Sequence, residues 1–200
     1  AVCGKVPELT APARAAKLML RDWPTSNQCA VVGIISTRRG EGRSTFAASL
    51  AASHSASGLR TLLVDADFGN PGLTNVMAAS SSHGLRTALS NESQPGILAF
   101  PEGVSAIHFL PAGTSTPRGE RSDPLASANL FQTMNGLRDS YDVIILDVAP
   151  LAESMDALAV SPFVDAFVYL VEWGRTQAAD VLEALSETGD LGLSVAGYAL

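Results

Sequence analysis

Short apolar runs alternate along this chain with stretches in which apolar residues recur every three or four positions. Six apolar runs predict buried strands, at residues 30–36, 60–65, 106–111, 141–147, 166–171 and 193–200. Helical spacing predicts helices at residues 44–55, 84–90, 125–138, 153–160 and 176–187. Continuous apolar strands that alternate with helices are typical of a parallel sheet covered on both faces. We therefore predict an α/β fold with a doubly wound, mostly parallel sheet and helices on both faces.

The pattern also divides the chain. Residues 1–29 predict an N-terminal arm with one helical stretch at 11–22, which ends before Pro24, and residues 30–200 predict a single domain. The segment 80–103 is rich in Ser, Asn, Pro and Gly, which indicates surface insertions around the short helix at 84–90. The chain lacks an initiator methionine and ends at Leu200 within an apolar run, so we expect a piece of a longer protein.

Composition narrows the function classes. The net charge of −7 argues against a nucleic-acid-binding surface, so no nucleic-acid partner is expected. No uninterrupted apolar run is long enough to predict a membrane-spanning helix. Cys3 and Cys29 have no metal-ligand spacing and suggest no disulfide framework, which favours a reducing, cytoplasmic setting.

The most informative segment is residues 37–45, which read Thr-Arg-Arg-Gly-Glu-Gly-Arg-Ser-Thr between a predicted strand and a predicted helix. Glycines in such a turn let successive backbone N–H groups point at phosphate oxygens, and the N-terminus of the next helix favours negative charge. This is the pattern of a phosphate-binding P-loop. We predict that a nucleotide is bound by residues of this loop, namely Arg39, Gly40, Glu41, Gly42, Arg43, Ser44 and Thr45.

Aspartates follow two of the predicted strands. Asp65 and Asp67 end one apolar run, and Asp147 ends another. Because the carboxyl ends of parallel strands meet at one edge of a doubly wound sheet, these aspartates are expected beside the P-loop. Mg²⁺ takes oxygen ligands, so Ser44 and Asp147 are the predicted metal residues.

The predicted chemistry is transfer of a phosphoryl group from ATP with Mg²⁺ as cofactor. Arg43 would neutralise phosphate charge, and Asp65 or Asp67 would orient or deprotonate the attacking oxygen, with Asp67 preferred. These three residues form the predicted catalytic set.

Three segments carry a resemblance to a known family. Residues 40–45 (Gly-Glu-Gly-Arg-Ser-Thr), 64–71 (Val-Asp-Ala-Asp-Phe-Gly-Asn-Pro) and 141–150 (Tyr-Asp-Val-Ile-Ile-Leu-Asp-Val-Ala-Pro) resemble the bacterial tyrosine kinases, or BY-kinases. These are the cytoplasmic autokinase domains of exopolysaccharide and capsule assembly systems, and they are related to the division-site and partitioning (MinD/ParA-type) ATPases. In that family the loop is Walker A, Asp65 and Asp67 fall in Walker A′, and Asp147 closes Walker B.

The resemblance implies a P-loop nucleotide-binding domain over residues 30–200 that phosphorylates tyrosines with ATP. It also implies a membrane polysaccharide co-polymerase as partner, in the same longer chain or as a separate subunit. The expected location is the cytoplasmic face of the inner membrane, and the family's ring assembly leaves a homo-oligomer as an open expectation.

The chain departs from the family pattern at Arg43, which stands where the family has the P-loop lysine, and its only lysines are Lys5 and Lys17. Two alternatives therefore stay open at this point. One is a catalytically weak or inactive nucleotide-binding adaptor of the co-polymerase. The other is a MinD/ParA-type ATPase, which is favoured by Arg38 because that family carries a signature basic residue five positions before the main lysine.

Overall fold

The structure is a computed structural model that describes residues 29–90, 96–102, 105–113, 124–188 and 195–199. Apart from Cys29, the predicted N-terminal arm lies outside the described residues. Within the described part, the strands are β1 Ala30–Ser36, β2 Thr61–Asp65, β3 Leu98–Glu102, β4 Ser105–Leu110, β5 Val143–Asp147, β6 Ala166–Val171 and β7 Val195–Ala199. The α-helices are α1 Arg43–Ser55, α2 Gly72–Met77, α3 Leu85–Leu89, α4 Asn129–Ser140, α5 Asp156–Val160 and α6 Ala178–Glu187.

The strands form one sheet in the order β3-β4-β2-β5-β1-β6-β7. All neighbouring strands are parallel except β3 and β4, which pair antiparallel at one edge. The chain leaves β1 towards β2 on one side and later returns to β6 on the other. The loop after β1 therefore lies at the point where the winding reverses, which is where ligands bind in such sheets. The predicted doubly wound α/β fold is confirmed.

The two faces of the sheet bury separate apolar layers because side chains alternate along each strand. On one face, α1 packs Phe46 and Leu50 against strand residues that include Ile34 and Ile145. On the other face, α4 packs Leu130 and Met134 against a second set of strand residues. This second set includes Val31, Ile35, Leu62, Val64, Ile144, Leu146 and Phe167. Both faces are thus covered, as the continuous apolar strands predict.

The structure corrects the interpretation of the segment 80–103. Residues Leu98–Glu102 form β3, whereas the sequence predicts only surface insertions there. β3 is an edge strand that contains Pro101, and a proline in a strand is typical of an edge because it cannot donate to the sheet. The six-residue helix α2 is also absent from the prediction, since so short an element shows no helical period.

Three predicted helices begin at least two residues later than expected: α4 at Asn129, α5 at Asp156 and α6 at Ala178. Residues Pro124–Ala126 form a separate 3₁₀ turn before α4, and residues 151–153 form a turn before α5. Among the described residues, no helix combines the length and apolar character that a bilayer crossing requires.

Gly33, in the centre of the sheet, makes room for the ring of Phe167. A Cβ added at Gly33 would lie 2.5 Å from two ring carbons of Phe167, a buried residue. We expect Gly33→Ala to lower the free energy of unfolding by about 1–3 kcal/mol through overpacking. Urea unfolding monitored by circular dichroism measures this change.

Gly136→Ala provides a matched control for the same substitution. Gly136 is exposed on α4, and a Cβ there meets no atom within 4 Å. We expect this variant to gain about 0.5–1 kcal/mol because alanine favours a helix over glycine. An unchanged stability of Gly33→Ala would contradict the close packing at Phe167.

Candidate functional site

The loop between β1 and α1 has the backbone of an anion-binding turn. Gly40 and Gly42 adopt left-handed conformations, with φ of 87° and 86°, which side chains other than glycine rarely adopt. Helix α1 begins directly after Gly42, and Phe46 donates its N–H to the Gly42 carbonyl at 2.9 Å. The N–H groups of the first turn of a helix have no carbonyl partner within that helix. The loop and the helix start therefore present donors to an anion at the switch point of the sheet.

Ser44 and Asp147 meet directly beneath this loop. The Ser44 hydroxyl donates to Asp147 Oδ2 at 2.5 Å, although the two residues are 103 positions apart in the chain. Asp147 ends β5, which pairs with β1, so the parallel register carries its carboxylate to the start of α1. Its other oxygen, Oδ1, is buried and has no hydrogen-bond partner among the described residues.

Arg43 points its guanidinium at Asp67. Arg43 Nη2 lies 3.1 Å from Asp67 Oδ2, and both side chains are almost completely buried. Asp67 Oδ1 accepts the N–H of Asn70 at 2.8 Å, which fixes the carboxylate. Arg43 Nη1 is buried without a hydrogen-bond partner among the described residues. One arm of the guanidinium thus holds Asp67, and the other is left without an acceptor.

Asp65 has a different set of contacts. Its Oδ2 accepts both the N–H and the hydroxyl of Thr74 at 2.8 Å, and its Oδ1 accepts the N–H of Asp67 at 3.2 Å. The Thr74 hydroxyl in turn accepts the N–H of Ala112 from the segment after β4. Asp65 therefore ties the ends of β2 and β4 to α2. Of the two aspartates predicted to activate an attacking oxygen, the geometry favours Asp67, because Asp65 is committed to these structural bonds.

The remaining predicted loop residues differ in exposure. Arg39 is exposed and forms an ion pair with Glu153, in the turn after β5. Thr45 is exposed in the first turn of α1. Glu41 is buried, and its carboxylate accepts the N–H of Arg38 and the hydroxyl of Thr176. The Glu41 side chain therefore turns towards protein donors, and its predicted part in binding a nucleotide reduces to its backbone.

The residues present fit a magnesium ion with a phosphate group. Buried polar atoms without partners are rare and costly, yet Asp147 Oδ1 and Arg43 Nη1 are two such atoms beside one anion-binding loop. A cation would satisfy the carboxylate oxygen, and a phosphate oxygen would satisfy the guanidinium. The described residues contain no group of three or more His, Cys, Asp or Glu that could hold a metal. A metal here would thus rely on one hydroxyl, one carboxylate and oxygens from phosphate and water, which suits Mg²⁺.

Sequence reasoning missed the residues that contact the loop and its aspartates from other segments, namely Thr74, Glu153, Tyr169, Thr176 and Asp180. Asp180 pairs with Arg38 at 3.1 Å, and the Tyr169 hydroxyl lies 2.8 Å from Thr37 Oγ1. A lone threonine, glutamate or tyrosine carries no spacing signal that could have found it.

Two curated proteins are similar to this chain over most of its length. The chain is 34% identical over 193 residues to the succinoglycan biosynthesis transport protein ExoP of Rhizobium meliloti, covering 94% of this chain and 24% of ExoP. It is 29% identical over 171 residues to the tyrosine-protein kinase CpsD of Streptococcus agalactiae, covering 85% of this chain and 74% of CpsD. The chain is thus similar in sequence to bacterial tyrosine-protein kinases. It spans only about a quarter of the length of ExoP. No protein-family model matches the sequence.

Solved structures share the fold of this chain. The kinase domain of the Escherichia coli tyrosine kinase ETK superposes with a TM-score of 0.81 at 22% identity, covering 94% of this chain and 73% of that domain. The septum site-determining protein MinD from Pyrococcus horikoshii, solved with Mg-ADP, gives a TM-score of 0.64 at 17% identity, covering 84% of this chain and 68% of MinD. At these identities the two structures establish the shared fold.

The buried carboxylates of the site make stability depend on pH. Burial raises the pKa of Asp65 to about 7 and that of Asp147 to about 6, from an ordinary value of 3.8. Both carboxyls therefore bind protons more tightly in the folded chain than in the unfolded chain. Their stabilisation is present at low pH and is lost as the pH rises from about 4 to about 7.

We expect Asp147→Asn, which cannot titrate, to gain stability relative to the wild type when the pH rises from 5 to 7.5. The expected gain is on the order of 1 kcal/mol. Urea unfolding at the two pH values, without nucleotide or Mg²⁺, measures it. Asp142→Asn is the control, because hydrogen bonds from Arg60 lower the pKa of Asp142, so this carboxyl is ionised in both states from pH 5 to 7.5 and predicts almost no change. The same stability difference at both pH values would contradict the prediction.

Proposed function

We propose that this chain is the nucleotide-binding, tyrosine-kinase domain of an exopolysaccharide or capsule assembly protein, and that it transfers the γ-phosphoryl group of ATP to tyrosine hydroxyls. One observation carries the proposal. The buried pair Arg43–Asp67 and the partly buried pair Ser44–Asp147 converge on one glycine-rich loop, and each leaves one polar atom without a partner among the described residues. The names of the relatives, a tyrosine-protein kinase and a succinoglycan biosynthesis transport protein, support the choice of acceptor and pathway.

In the proposed mechanism, the backbone N–H groups around Gly40 and Gly42 hold the phosphates of ATP. Ser44 and Asp147 would hold Mg²⁺, which when bound neutralises phosphate charge and keeps the phosphate oxygens in place. Arg43 would use Nη1 for a phosphate oxygen while Nη2 keeps Asp67 in position. Arginine can do this because the separate N–H donors of its planar guanidinium can bind two different acceptors. The ammonium of lysine is a single point charge.

Asp67 would accept the proton of the tyrosine hydroxyl. Its carboxylate is fixed by Asn70 and Arg43, and each of its oxygens retains a lone pair for an approaching hydroxyl. Of the tyrosines whose side chains the structure describes, Tyr141 and Tyr169 are buried, so neither is the expected acceptor.

The partner that we propose is a membrane polysaccharide co-polymerase, either in the same longer chain or as a separate subunit. The relationship to ExoP supports this partner. The corresponding location is the cytoplasmic face of the inner membrane, where ATP is available to the domain. Assembly with further copies of the chain stays a prediction.

We expect the protein to bind Mg-ATP saturably and to form phosphotyrosine. We expect Asp147→Ala to reduce phosphotyrosine at least about 100-fold, because the carboxylate that would hold the charge-neutralising Mg²⁺ is lost. Calorimetric titration of Mg-ATP measures binding. Antibody detection on the full natural protein, with and without a tyrosine copolymer, measures transfer.

The same experiment separates the alternatives. Nucleotide binding without phosphotyrosine would contradict the kinase and favour an adaptor. Phosphate release without phosphotyrosine would favour a MinD/ParA-type ATPase. If only Arg43→Lys bound ATP, the natural chain would not be a kinase.

A second pair of variants tests the roles of the two Walker A′ aspartates. Asp67→Asn keeps the volume and an acceptor for Arg43 but removes the proton acceptor, so we expect transfer to fall by about 10²–10⁴-fold with ATP affinity within a few-fold. Asp65→Asn places an amide against three N–H and O–H donors, so we expect it mainly to lower the urea midpoint. A larger loss of transfer in Asp65→Asn, at unchanged stability, would reverse this assignment.

A further inference from the structure

Glu41 is a buried carboxylate in the middle of a loop built to receive anions. Its residue is only 4% exposed. A carboxylate near bound phosphates repels them, and burying a charge without partners is costly. A reason for its presence must therefore be sought in what its oxygens contact.

Both oxygens of Glu41 accept hydrogen bonds from the protein. Oε2 accepts the N–H of Arg38 at 2.7 Å, within the phosphate-binding loop itself. Oε1 accepts the hydroxyl of Thr176 and, at 3.4 Å, the N–H of Glu172. Thr176 and Glu172 belong to the segment between β6 and α6, residues 172–177, which we name the β6–α6 loop. A single buried carboxylate thus joins two loops whose residues are more than 130 positions apart in the chain.

Other contacts place the β6–α6 loop against the phosphate-binding loop. A Cβ on Gly40 would lie 3.7 Å from Arg175 Nη1, so the arginine side chain passes beside the left-handed glycine. Arg38 also pairs with Asp180 in the first turn of α6. Because the Arg38 side chain is 60% exposed, this surface pair contributes little on its own. Glu41 is the buried link between the two loops.

We propose that Glu41 is a positioning residue that couples the phosphate-binding loop to the β6–α6 loop, so that a nucleotide in the first loop changes the setting of Trp173 in the second. The coupling rests on the proposed function for its ligand. A phosphate held by the N–H groups around Gly40 and Gly42 sets the backbone that carries Glu41 and Arg38. The Glu41 carboxylate passes that constraint to Thr176 and Glu172, on either side of Trp173.

The hydrogen-bond partners of Glu41 explain why a carboxylate is needed at this position. All three partners are donors, so each carboxylate oxygen must accept. Glu41→Gln keeps the volume but replaces one acceptor oxygen with an NH₂ group, which then faces a donor. If the NH₂ faces Arg38, the variant breaks the bond from the Arg38 N–H. If the NH₂ faces Thr176, that hydroxyl can turn to accept, and the bond from the Glu172 N–H is broken instead. Thr176→Val removes the same link from the other side with little change in shape.

Trp173 reports on the β6–α6 loop without a label. It is 82% exposed, and the chain contains two tryptophans, Trp23 and Trp173. In a Trp23→Phe background, the tryptophan fluorescence of the chain comes from Trp173. Its emission and anisotropy then follow the β6–α6 loop, while calorimetry follows nucleotide binding independently.

The test is a titration of the Trp23→Phe protein with Mg-ATP, read by calorimetry and by Trp173 fluorescence. We expect the parent protein to show saturable binding and a matching change at Trp173. Glu41→Gln and Thr176→Val should each bind about 3–10-fold more weakly and lose at least half of the Trp173 change at saturation. The double variant should bind Mg-ATP no more weakly than the more affected single variant, because both substitutions remove the same link. Asp180→Asn, which alters the exposed pair between the same two elements, should keep the full change.

Amide hydrogen exchange without nucleotide tests independently whether Glu41 links the two loops. We expect Glu41→Gln to speed the exchange of residues 37–42 and 172–177 together, while the thermal midpoint confirms a folded protein. A full Trp173 change in saturated Glu41→Gln, or unchanged exchange in residues 172–177, would overturn the coupling. If the parent protein binds no nucleotide, the proposed function fails, and the exchange measurement alone decides the role of Glu41.

Discussion

Buried negative charge at one edge of the sheet is the constraint on which this site depends. Asp65, Asp67 and Asp147 are all nearly inaccessible to water, at the ends of the neighbouring strands β2 and β5. A buried carboxylate is tolerated only with donors or counter-charge around it. The fold supplies three different solutions: the Thr74 donors for Asp65, the Arg43 guanidinium for Asp67 and the Ser44 hydroxyl for Asp147. In the proposed mechanism, these three surroundings give otherwise similar side chains a structural, an acid–base and a metal-holding task.

Arg43 has a second consequence for this edge. Arg43 directly follows the glycine turn, so its side chain can reach either a bound ligand or the nearby aspartates. Its Nη2 contacts Asp67, and its Nη1 is buried with no hydrogen-bond partner among the described residues. The replacement of the family's lysine by arginine is thus compatible with a site that holds phosphate. Arg43 also contacts Asp67, so in the proposed mechanism phosphate binding and proton acceptance would both depend on one side chain.

The phosphate-binding loop is fastened to three strand ends rather than held by its own turn alone. Arg39 pairs with Glu153 after β5, Arg43 with Asp67 after β2, and Glu41 with Thr176 after β6. Each tie crosses from the loop to a segment remote in sequence. A loop fixed in this way keeps its N–H groups oriented before a ligand arrives, which reduces the ordering that binding requires. It also means that a change in any of these segments is felt at the loop.

Local patterns in the sequence determined most of the strand-and-helix order, the doubly wound sheet and the grouping of Arg43, Ser44, Asp67 and Asp147 around one loop. They succeed because apolar periodicity, the glycine turn and strand-end aspartates are all short-range signals. Edge strand β3 and helix α2 escaped because one carries a proline and the other is too short to show a period. Only the tertiary structure decided that Asp65 binds Thr74, that Glu41 turns away from the phosphates towards Thr176, and that one arm of Arg43 is free. Those outcomes depend on which side chains the parallel register brings within 3 Å or so of each other, and no spacing along a single chain encodes that distance.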